Sequence, residues 1–183
     1  MFRWVGCVLV CWLLAGCVAA GDLGAVSAGT TIRPDVHEGS TTVEGPPIRD
    51  YKTLHRYFVR SWINPKKPTI HDRFQIVVLG EFARRVYLIQ AYAAGEKLDT
   101  KVIDRERRCI SGAGCYTLET VGINLSEADI ERYAGSGLAF EIIGRRQSIV
   151  LEIPAAYFGG VLERHRRERD RVQAGLLEPP DRR

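Results

Sequence analysis

The chain has 183 residues, 45% of them hydrophobic, and a formal net charge of +4. That length supports one domain with a real core and leaves little room for a second. The mild charge argues against a dedicated nucleic-acid binder, and nothing in the composition implies a cofactor.

The chain opens with Arg3 ahead of an apolar run from Val5 to Leu14 that is interrupted only by Gly6. Ala15 and Gly16 then supply small residues of the kind a signal peptidase accommodates. A membrane-spanning helix needs about 20 apolar residues. Here the run gives way to Gly21-Asp22, so a permanent span is not expected. An ordinary cleaved secretory signal is one reading. The other rests on Leu14-Ala15-Gly16-Cys17, which resembles the lipobox of bacterial lipoproteins. The resemblance implies that residues 1–16 are a signal peptide and that the Cys17 thiol takes a diacylglyceryl group by thioether linkage. Cleavage before Cys17 then frees an amine for a further acyl chain such as palmitate. Two or more chains hold a protein firmly on a bilayer, at roughly 0.8 kcal/mol per buried CH₂. Val18, not aspartate, follows the cysteine. In a two-membrane envelope that implies the outer membrane, with the domain facing the periplasm.

Residues 17–47 are rich in Gly, Ala, Ser, Thr and Pro and show no apolar periodicity. They read as a lipidated, flexible tether, with a single globular domain over 48–172 and a disordered tail over 173–183. Strand signals begin at His55. Residues 56–63 are aromatic and β-branched and stop at Asn64-Pro65; residues 73–79 and 85–92 follow. Residues 97–107 and 116–125 are expected to pair as a hairpin. Tyr116 and Leu118 share one face of the second strand, whereas Val121, Ile123 and Leu125 share the other. Either a bulge sits near Thr120 or both faces are covered.

Ser126, with Asp129 three residues on, predicts a short helix covering Ala128, Ile130 and Tyr133 and ending at Gly135–Gly137. Two alternating segments, 138–142 and 149–153, flank a turn at 144–147. Pro154 then opens a terminal helix whose apolar face is Tyr157, Phe158, Val161 and Leu162. Past Leu162 the string E-R-H-R-R-E-R-D-R reads as a solvated helix end; a basic patch for anionic lipid or an acidic partner is the other possibility. Arg164 with Glu168 and Glu163 with Arg167 are spaced for helix-surface ion pairs. The fold expected is mainly β with α: a β-sandwich, or an antiparallel sheet of about six or seven strands covered by the terminal helix.

The chain contains five cysteines. Cys7 and Cys11 leave with the signal peptide and Cys17 is consumed by lipid, leaving Cys109 and Cys115 in an oxidising compartment. A structural disulfide worth roughly 2 kcal/mol suits that pair better than a redox dithiol or a zinc site. No catalytic constellation is visible. His37, His55, His71 and His165 fall in tether, strand, turn and charged helix, and none has metalloprotease spacing. His71-Asp72 reads as turn-forming polar residues. Glu119, Glu141 and Glu152 alternate within strands and are expected to face solvent. Tyr57, Phe58, Trp62, Tyr87, Tyr92 and Tyr116 are assigned mostly to the core, with a recognition surface as the other use for such residues.

The body, over residues 51–162, is loosely similar to small β-rich envelope lipoproteins of unassigned activity. That likeness is carried by Arg60-Ser61-Trp62-Ile63, the Cys109–Cys115 loop, Glu119-Thr120-Val121-Gly122-Ile123 and Ile153-Pro154. The function expected is a non-enzymatic binding or assembly module, anchored through acylated Cys17 and meeting another envelope protein. An anchored periplasmic enzyme or small-ligand carrier, with a site assembled from distant residues, is the alternative.

Overall fold

A computed structural model describes residues 20–35, 37, 39–50, 55–64, 73–112 and 114–175. The lipobox with Cys17, His71-Asp72 and the tail beyond Gly175 lie outside these residues.

The strand-forming runs organise the molecule. β4 (His55–Ile63), β5 (Arg73–Phe82), β9 (Gly114–Leu125) and β8 (Thr100–Ile110) lie side by side and antiparallel. β2 (Ser40–Glu44) and then β1 (Thr31–Asp35) extend the sheet beyond β4, and the short β3 (Ile48–Asp50) pairs with the start of β4, giving seven strands. A second antiparallel sheet has the order β11-β10-β6-β7, from Ser148–Ile153, Leu138–Gly144, Leu88–Ala93 and Glu96–Lys97. The protein is therefore mostly β, with the C-terminal helix packed on the sheets.

Alternation decides which face is inside. His55, Tyr57, Val59, Ser61 and Ile63 of β4 point inward, and β5 contributes Phe74, Ile76, Val78 and Phe82 to the same side. Two kinds of cover meet that inner face. At the His55 end lies the second sheet, where the Tyr57 hydroxyl donates to the Glu152 carbonyl at 3.0 Å. At the Ser61 end lies α3 (Ala155–Gln173), backed by α1 (Leu23–Gly29) and α2 (Glu127–Ser136). One contiguous apolar cluster runs through both halves.

The N-terminal stretch departs from the expected tether. Residues 23–50 form α1 and three strands, with Val26 and Val43 fully buried. Asp22 caps α1 by accepting from the Ala25 amide at 2.9 Å. Small residues there permit close packing instead of marking a leash: a Cβ on Gly160 of α3 would come within 2.7 Å of the Leu23 carbonyl and of Val26. Gly45 serves the same purpose where the Tyr157 hydroxyl crowds the chain. That hydroxyl donates to the Pro46 carbonyl at 2.7 Å and accepts from the Val59 amide at 3.3 Å, and burial raises its pKa far above the ordinary value. The folded unit thus includes the described residues before 48, from Ala20 onward.

The hairpin of β8 and β9 pairs as expected, with Cys109 opposite Cys115, Cα atoms 4.0 Å apart and the sulfurs bonded. Gly112 and Gly114 adopt positive φ to close the turn. β9 keeps one phase from Thr117 to Leu125, and the register shift sits in β8, between Val102 and Asp104. Half-buried Tyr116, Leu118 and Thr120 occupy the other face of β9. The Ser126 cap of α2 is a full capping box with Asp129. Burial works against the Asp129 carboxylate. Bonds from the Ser126 hydroxyl and amide, together with nearby Arg132, nonetheless hold its pKa below the ordinary value. Ile130 and Tyr133 are buried under α2 as expected, but Ala128 is exposed.

The apolar stripe of α3 continues past Leu162. His165 is 0% and Glu168 1% exposed, so the charged run is a polar seam against the sheet on one side and solvated only on the other. The two ion pairs on this helix form, Arg164 with Glu168 at 3.2 Å and Glu163 with Arg167.

Candidate functional site

Glu119 is where the expected surface placement fails most clearly. It lies on the inward face of β9 with 1% exposure. One carboxylate oxygen accepts from the Val86 and Tyr87 amides at 2.7 and 2.9 Å, and the other accepts from Leu88 at 2.7 Å. Arg105 Nε stands 3.6 Å from the second oxygen, and the Arg105 guanidinium donates to the Leu88 carbonyl at 2.6 Å. A carboxylate holding three successive amides, with a cation behind it, is a clamp with its capacity used. It fixes the end of the β5–β6 loop, where Tyr87 takes φ +60°, a conformation few side chains adopt unaided. Arg105 and Arg145 flank the Tyr87 ring at 5.7 and 5.5 Å.

The pinned loop carries Arg84 and Arg85. The turn between β10 and β11 carries Arg146 and is tied to the same loop by the Arg145 amide, which donates to the Val86 carbonyl at 2.9 Å. Between them opens a cleft of about 730 Å³ lined by these three arginines, Glu81, His55 and Ser148, with Phe82, Val86 and Ile149 among its apolar residues. His55 is 5% exposed, and its Nδ1 is buried with no hydrogen-bond partner among the described residues. Burial lowers the His55 pKa from the ordinary 6.5, opposed by the charges of Asp50 and Glu81. The His55 ring leans on Phe82 at 5.2 Å, which in turn fills the space that the missing Cβ of Gly80 leaves.

The other expected site residues are not gathered here. His165 shares a hydrogen bond of 2.7 Å with Ser61 Oγ and meets the Phe74 ring at a tilt of 55°, both partners buried at the helical end of the core. A serine beside a histidine invites a nucleophilic reading, but neither residue reaches a cleft. His37 is exposed in the turn between β1 and β2. Glu141 and Glu152 lie on the outer face of the second sheet, half-buried and exposed respectively. Of the six aromatic residues assigned to the core, only Tyr57 is buried; Phe58, Trp62, Tyr87, Tyr92 and Tyr116 are half-buried.

On the outer face of the large sheet, polar residues cross three strands and reach the start of a fourth. Arg60 donates to Gln75 at 2.7 Å, Gln75 to Asn124 at 2.8 Å and Asn124 to Asp99, just before β8, at 2.9 Å. Gly122 lets Gln75 lie flat, and the Arg60 guanidinium rests over the Trp62 ring at 4.8 Å. Burial lowers the Arg60 pKa, with Glu44 opposing.

Among the described residues, no three His, Cys, Asp or Glu side chains come together at metal-binding distance, and no helix is long and apolar enough to cross a membrane. Compared with protein families, curated proteins and solved structures, the chain matches none.

Proposed function

We propose that the protein is a membrane-anchored envelope lipoprotein that acts as a non-enzymatic binding or assembly module. The observation that carries the reading is the string Leu14-Ala15-Gly16-Cys17, set five residues before Asp22, the cap of α1. Lipid on Cys17 attaches the domain, and acylation at two or more positions makes the attachment permanent. The stem left between Cys17 and Asp22 spans at most roughly 18 Å when fully extended. The domain therefore works close against the bilayer, on its periplasmic side, and meets partners that come to the membrane.

The polar chemistry inside the fold supports a binding role over catalysis. Glu119 is saturated by amides, and the Ser61–His165 pair is sealed in the core. The open surfaces offer charge and half-buried aromatic rings, the material of recognition. Replacing Cys17 with alanine is expected to abolish incorporation of a fatty-acid probe and release the chain from the membrane fraction. Unchanged labelling of Cys17→Ala overturns the proposal.

A further inference from the structure

The geometry points to the cleft between the β5–β6 loop and the β10–β11 turn as a binding site for a phosphate monoester that carries an apolar group. Three arginines border it against one acid, Glu81. Arginine suits a phosphoryl group better than lysine does, because its planar fork gives two parallel hydrogen bonds to adjacent oxygens. The guanidinium side chains are solvent-exposed, but the backbone beneath them is fixed. Glu119 holds the amides of residues 86–88, and the Arg145 amide ties the turn bearing Arg146 to that loop. Binding therefore orders side chains only, which lowers its entropic cost.

Two further features fit the same ligand. Val150, 72% exposed, and the edges of the buried Phe82, Val86 and Ile149 give the cleft an apolar side. At about 730 Å³ the open cleft is wider than a phosphoryl group, which leaves room beside that apolar side for the group that bears the phosphate. His55 lies nine-tenths buried in the floor of the cleft, with Nδ1 closed off and without a protein partner among the described residues, so the ring senses an anion bound above it. The charged groups around it are Asp50 from β3, Glu81 from β5 and the three arginines of the cleft. A soluble phosphate ester and a phospholipid headgroup both have the required chemistry. The site stands on this geometry and does not depend on Cys17 carrying lipid.

The test uses the full chain labelled with ¹³C at histidine, with the His55 signal assigned by its loss in His55→Gln. In detergent micelles the protein is titrated with inorganic phosphate. In a second arm it is placed in phosphatidylcholine nanodiscs with and without phosphatidic acid. The expected result is a saturable change at His55, with its titration moved upward by the bound anion. The triple variant Arg84→Ala/Arg85→Ala/Arg146→Ala weakens the response on the order of tenfold or more. The corresponding triple lysine variant recovers part of it, and Arg107→Ala, on the exposed hairpin, leaves it unchanged. A response to phosphate alone identifies a soluble ester, and a response to phosphatidic acid alone identifies a headgroup. No saturable change at His55 in either arm overturns the proposal. So does an equal response in the triple alanine variant when its near-ultraviolet circular dichroism matches that of the parent.

Discussion

Residues 23–50 and the β8–β9 hairpin reverse what composition suggests. The first stretch is small and polar, yet Val26, Ser27, Thr30, Ser40, Thr41 and Val43 are buried. The hairpin has long strands with β-branched residues, yet Val102, Ile103 and Ile110 are exposed. The difference lies in what covers each region. β2 is flanked by β1 and β4 and lies near α3, whereas β8 is the last strand of its sheet, pairs with β9 alone and meets β6 at Thr100 and Arg105. Val102, Ile103 and Ile110, on an edge strand outside those two contacts, stay wet. A threonine in the second strand from the other edge becomes core.

This contrast can be broken at several points, and the largest effect is expected where the hairpin reaches inward. Glu119→Ala leaves three amides without an acceptor and Arg105 without its carboxylate, so urea unfolding should show a loss of about 4 kcal/mol. Glu119→Gln should lose less, because one oxygen still accepts. On the N-terminal side, Val43→Asn places an unsatisfied amide at a fully buried position. The expected cost there is about 3 kcal/mol by the same measurement; a surface-like cost would return the stretch to a tether. Cys109→Ser/Cys115→Ser acts on the exposed end of the hairpin and should lose roughly 2 kcal/mol, with the rest of the sheet intact by amide exchange.

A smaller effect belongs to pH. His55 has its pKa lowered by burial, so the folded protein binds fewer protons than the unfolded chain as the pH drops below 6.5. The stability that neutral His55 contributes is present above that value and declines as the pH falls through the lowered folded value. Urea midpoints compared at about pH 7 and about pH 5 should fall on acidification, less steeply in His55→Gln. The smallest effect is expected on the exposed edge, where Val102→Thr should change stability by no more than about 0.5 kcal/mol. A larger loss there would show that the edge is covered after all.

Where local chemistry fixed the structure, the sequence was readable. The run from Arg56 to Ile63, the Ser126–Asp129 capping box, the two ion pairs of α3 and the Cys109–Cys115 register all follow from spacing within a few residues. The features that were missed depend on contacts distant in sequence. Glu119 occupies an ordinary alternating position; only its phase with Val121 and Ile123 placed it inside, and the amides it binds lie more than 30 residues away. His165 and Glu168 continue the spacing of Val161 and Leu162, a signal that their polarity concealed. The arginines of the cleft come from two separate turns, and no linear motif joins them. The folding of residues 23–50 had the weakest trace, since Val26 and Val43 stand apart among small residues and only α3 and β4 make them core.

The incorporation of residues 23–50 shortens the proposed tether from thirty residues to a few, and hydrogen–deuterium exchange on the full chain tests it most directly. Thr41 to Glu44 in β2 should exchange as slowly as Val59 in β4, through opening of the whole sheet, while alternate amides along the free edge of β8 exchange quickly. Exchange of Thr41 to Glu44 at the rate of an unstructured peptide would contradict the account and restore a long leash.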